Sequence, residues 1–76
     1  MALPLFTMVR LSTDCHLSEG VGTGAIGFVV EVHHDDAYEV EFSREADGTT
    51  IALLTLSPSE FDVVSVPESA VARGSA

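Results

Sequence analysis

The chain reads as a single, small, all-β domain: a five-stranded SH3-like barrel with one helical turn before the last strand. Three observations predict this. Residues Tyr38 to Phe42 alternate strictly, with Tyr38, Val40 and Phe42 set against Glu39 and Glu41, the period of a half-buried strand. Short apolar runs are separated by turn-forming residues along the whole chain. Before the last run stands Ser57-Pro58-Ser59-Glu60, with Ser57 able to cap and Pro58 suited to the first helical position.

Each element follows in order. Leu5 to Leu11 is the expected first strand, and residues 12–24, polar and glycine-bearing, form a long loop. Ala25 to Val32 is the second strand, with Ile26, Phe28, Val30 and Val32 at alternate positions and Gly27 marking a bend or bulge. His33-His34-Asp35-Asp36 is a polar turn of hairpin length leading into the Tyr38–Phe42 strand. Asp47-Gly48 supplies a second turn, since glycine accepts the positive φ that tight hairpins demand. Thr49 to Leu56 is the fourth strand. Its two faces are both apolar, Ile51 and Leu53 on one and Ala52, Leu54 and Leu56 on the other. A one-turn helix at 57–61 precedes a short last strand, Asp62 to Val66, which Pro67 ends. Such a turn swings the chain round so that the last strand closes the sheet. The domain core is expected over residues 5–66, and 67–76 as a fraying tail.

Size and composition bound the function. A chain of 76 residues buries roughly 60% of its extended surface, enough for one core and no second. Its apolar fraction of 46% argues against disorder. Twelve carboxylates face three arginines and no lysine, for a formal net charge of −9. Nucleic-acid backbones and anionic membranes are recognised through clustered cations, so neither is an expected partner. Cys15 is the one cysteine, which leaves no intramolecular disulfide and no thiolate cluster and suits a reducing cytoplasm. The opening apolar stretch lacks a basic start and is interrupted by Pro4, unlike a secretory signal, and no run approaches membrane-spanning length.

Four patterns resemble chemistry, and each has a plainer explanation. Gly22-Thr23-Gly24-Ala25-Ile26-Gly27 spells G-x-G-x-x-G, but a strand follows it instead of the helix that would hold a pyrophosphate. The kinase-type version requires a lysine on a later strand, and the chain has none. His33-His34-Asp35-Asp36, with His16, suggests a metal site, yet adjacent residues on extended chain point to opposite faces. Cys15-His16 lacks both the geometry and the third group of a nucleophile–base pair. Glu39 and Glu41 share a strand face, and on open surface nothing splits their pKa values into acid and base. No catalytic residue, cofactor or metal is expected. There is no tryptophan, and Phe6, Phe28, Phe42 and Phe61 fall at expected core positions, with Tyr38 alone available to present a ring. Proline-rich and methyl-lysine recognition, which need exposed aromatic clusters, are therefore disfavoured.

The run Gly24 to Val32, then Ala37-Tyr-Glu-Val-Glu-Phe42, then Gly48 followed by Ile51-Ala-Leu-Leu-Thr-Leu56, resembles an uncharacterised family of short bacterial and cyanobacterial proteins known only as a numbered domain of unknown function. The likeness spans roughly residues 5 to 66. It departs from the family at Ala25, where an acidic residue is usual, at Phe28, where threonine is usual, and in a long loop without the prolines common there. The resemblance implies an SH3-like fold and no catalytic residues. Members resemble proteins encoded beside a small toxin-like protein, which implies an antitoxin or immunity role by analogy.

The expected function is a non-enzymatic protein-interaction module that self-associates. Its expected interface is Ala52, Leu54 and Leu56 with the acidic stripe Glu39 and Glu41, because exposed apolar surface rimmed by charge marks protein interfaces. The alternative is an acidic antitoxin or immunity protein neutralising a basic, neighbouring-gene partner.

Overall fold

A computed structural model describes residues 3–44 and 47–67. It contains five strands: β1 (Met8–Leu11), β2 (Ile26–Val32), β3 (Tyr38–Ser43), β4 (Thr50–Leu56) and β5 (Phe61–Ser65). They form one antiparallel sheet in the order β4-β3-β2-β1-β5. The protein is all-β. Among the described residues helix is confined to two three-residue 3₁₀ turns, Leu17–Glu19 within the long loop and Pro58–Glu60 before β5. The expected tail falls mostly on residues 68–76, which lie outside the described residues.

The alternation at Tyr38–Phe42 sets the inside of the sheet. Tyr38, Val40 and Phe42 are buried and Glu39 and Glu41 half-buried on the other face. Through the β2–β3 pairing Val40 stands beside Val29, and through β1 the inner face continues to Val9 and Leu11. Leu56 and Phe61 close the core from β4 and β5, with Val21 from the loop. The Phe61 ring meets Tyr38 edge-on at 5.8 Å between centroids, a favoured aromatic geometry. The Tyr38 hydroxyl accepts a bond from the Leu3 amide at 3.1 Å, so Tyr38 is a core residue and presents no ring to solvent.

The first strand begins three residues later than its composition suggests. Phe6 has φ of +69°, outside the extended region, and the Thr7 hydroxyl turns back to bond the Pro4 carbonyl at 2.7 Å. A turn therefore occupies Pro4–Thr7, while the Phe6 amide still reaches the Val29 carbonyl. At the β2–β3 hairpin Asp36 takes positive φ, +63°, which short polar side chains tolerate, and His33 N–H donates to the Ala37 carbonyl at 2.8 Å.

Gly27 differs from the sequence expectation. It sits within the regular β1–β2 and β2–β3 ladders, and the register shift of β2 falls instead between Val29 and Glu31. A Cβ on Gly27 would lie 2.7 Å from Val40 Cγ1 and 2.8 and 2.9 Å from the Phe42 ring. The glycine is there so that the Phe42 ring can lie flush against β2. Gly27→Ala should cost about 1–3 kcal/mol through overpacking, read as a lowered urea midpoint with unchanged m-value; an unchanged midpoint contradicts this packing.

Candidate functional site

The registers lay out the outer face of the sheet row by row. One row crosses the strands as Leu53, Glu41, Phe28 and Met8, ending at Ser65. The next runs Thr55, Glu39, Glu31. The outer face thus carries an apolar row interrupted by one glutamate, beside an acidic row. Leu53 is 54% exposed and Phe28 40%. Ile26 and Ile51 are also exposed, and with Phe28 they line a groove of about 750 Å³ between the sheet and the loop residues Val21 and Ala25. Arg44 is the one cation among the groove's lining residues.

These positions correct the expected interface. Ala52, Leu54 and Leu56 face inward: Leu56 is 1% exposed, and Ala52 and Leu54 pack against the core. The free face of β4 is the opposite one, Ile51 and Leu53. The cause is a register shift between Phe42 and Ser43, where Phe42 pairs with Ala52 but Ser43 with Thr50. That extra residue on β4 turns every following side chain to the other face. An unbulged two-residue turn centred on Asp47-Gly48 would have put Leu53 opposite Phe42 and inside. Phe28 and Phe6, expected in the core, are exposed; Phe42 and Phe61 are buried as expected.

Glu39 and Glu41 do lie on the outer face, and each has an internal partner. Glu39 stands directly across from Glu31, a like-charge pair that opposes strand pairing. His33 relieves it, its Nε2 lying 2.9 Å from Glu39 Oε1. That hydrogen bond, opposed by desolvation and helped to a lesser degree by the Glu31, Glu39 and Asp35 charges, raises the His33 pKa above its ordinary value. Thr50 donates its hydroxyl to Glu41 Oε2.

The long loop is fastened at two points that spacing alone does not show. Asp14 Oδ1 accepts from both the amide (2.9 Å) and the hydroxyl (2.7 Å) of Thr23, bonds that lower its pKa. His16 Nε2 lies 3.0 Å from Glu60 Oε2, and its Nδ1 lies 3.9 Å from Glu19. Glu60 also accepts the Ser57 amide at 2.9 Å; this bond first, and His16 second, lower the Glu60 pKa. His16 is thereby a strut between the loop and the turn before β5. Cys15 is exposed and receives the Thr13 hydroxyl. Among the described residues no three His, Cys, Asp or Glu side chains gather as metal ligands, and no helix is long and apolar enough to cross a membrane.

Residues 5–63 match the family model described as Domain of unknown function (DUF4926). The chain belongs to this family. The matched span runs from the turn before β1 into β5. No curated protein and no solved structure matches the chain.

The sign of the His33 effect follows from linkage. A pKa raised by folding contributes stability that is fully present below the unfolded value, about 6.5, and is lost as pH rises through the folded value. The stability advantage of the native chain over His33→Gln should therefore shrink between about pH 5.5 and about pH 9, measured by urea unfolding at both. An advantage that grows with pH contradicts the pairing.

Proposed function

We propose that the chain is a non-enzymatic protein-interaction module of SH3-like type that self-associates through the outer side of β4. The observation that carries this reading is the exposure of Leu53 and Ile51 on a strand whose other side already serves the core. Leucine and isoleucine gain about 1.5–3 kcal/mol each on full burial, and among the described residues no second layer covers them. Phe28, reached from Leu53 across Glu41, extends the same surface. The lone exposed Cys15 suits a reducing, cytoplasmic setting.

A second reading draws on the acidic row. Glu31 and Glu39 oppose each other across a strand pair, in a chain of net charge −9, and such a row complements a cationic partner surface. The family resemblance suggests the product of a neighbouring gene, in an antitoxin or immunity arrangement. Its mark is association that weakens steeply with added salt.

Leu53→Glu and Leu54→Glu separate the two faces of β4. Leu53→Glu should leave the fold intact and weaken self-association about a hundredfold or more, since two leucines per dimer are lost. Leu54→Glu places a carboxylate against the core and should unfold the chain. Solution mass and far-ultraviolet circular dichroism read both; a Leu53→Glu variant with the native chain's mass at every concentration contradicts the proposal.

A further inference from the structure

The sheet has two edges, and they are built differently. β5, at one end, is five residues long, carries Asp62, has a register shift opposite Met8/Val9 and is followed after Val66 by Pro67. Charge, irregularity and a nearby proline are the devices by which proteins stop an edge from pairing. β4, at the other end, shares the last two, with its own register shift opposite Phe42/Ser43 and Pro58 two residues past its end, but it lacks the charge. Its seven residues, Thr50–Leu56, include no charge and no proline. Among the described residues, its backbone bonds no segment other than β3. A row of free amides and carbonyls flanked by exposed Ile51 and Leu53 is a template for another strand.

We infer that β4 pairs antiparallel with β4 of a second copy, joining two sheets edge to edge into one. This rests on the self-association proposed above and specifies its geometry. The strand is suited to its own image. With a two-fold axis at Leu53, Leu53 meets Leu53, Ile51 meets Thr55, and Ala52 meets Leu54, so outer residues meet outer residues and inner meet inner. The core-facing and outer apolar surfaces then both run on across the junction.

Charge selects the second copy's approach. If two outer faces packed on each other, the sheets would lie about 10 Å apart, with Glu31, Glu39 and Glu41 of both copies in the dry seam. In edge pairing, the Glu39 and Glu41 rows, one strand in from each edge, are separated by three strand spacings, about 14 Å. That exceeds the Debye length of about 8 Å at physiological salt. A chain of net charge −9 can join a copy of itself through an uncharged edge far more readily than through its acidic face.

Amide hydrogen exchange of the unmodified chain, followed by NMR at low and high concentration, reads this directly. Successive amides of β4 point alternately toward β3 and away from it. Edge pairing predicts that those pointing away slow by about tenfold or more as the oligomer forms, while the free edge of β5 is unchanged. An oligomer that forms without this alternating protection overturns the edge geometry and leaves self-association standing. A chain that stays monomeric throughout overturns both.

Discussion

A five-stranded sheet this small has side chains enough to cover one of its faces, and the rest of the structure depends on that limit. Among the described residues the core consists of nine apolar side chains with buried Thr7, drawn from the inner face of every strand and from Val21 of the loop. Packing them tightly requires β2 to come against the Phe42 ring, which is the role of Gly27. It also requires the long loop to be held down, which falls to the Asp14–Thr23 and His16–Glu60 contacts. Among the described residues no second layer covers the outer face. In its apolar row Leu53 and Phe28 are exposed and Met8 is half-buried, the kind of surface that another molecule covers.

The carboxylates decide where a second copy can join. They are distributed over the outer face in a pattern that the fold itself must accommodate, with Glu31 opposite Glu39 and His33 drawn in between. An imidazole shared among acids favours its protonated form, so the hairpin is electrostatically easier to form at mildly acidic pH. Asp14, Asp47 and Glu60 act in the opposite sense. Hydrogen bonds from Thr23, Thr49 and Ser57 lower their pKa values, so their contribution is present above the ordinary carboxylate range and is lost as pH falls through the lowered values. The fold therefore draws on ionised carboxylates, and a surface kept so negative admits association best where it carries no charge.

Much of the architecture was legible from local pattern. Strict alternation at Tyr38–Phe42 identified both the strand and its buried face, and Ser57-Pro58 marked the turn before β5. These features are local, so neighbouring residues carry the information. The face of β4 was not legible in the same way. Thr50–Leu56 is apolar on both sides, so its own pattern does not choose, and the choice rests on one extra residue opposite the Phe42/Ser43 step. The β2–β3 shift likewise leaves Phe28 outside although its strand is rich in valine and isoleucine. The His16–Glu60 strut joins residues 44 apart in sequence, and no spacing rule connects them. The residues expected to form the surface, Ala52, Leu54 and Leu56, are thus the ones that the structure turns toward the core.

The account stands most directly on the mass of the unmodified chain in solution, measured by size-exclusion chromatography with light scattering from low to high micromolar concentration. It predicts a discrete species of twice the 8.0 kDa chain mass, with no open-ended growth, because joining two β4 edges consumes both. A mass of 8.0 kDa at every concentration would contradict it and leave Leu53 and Ile51 as a surface for a different protein.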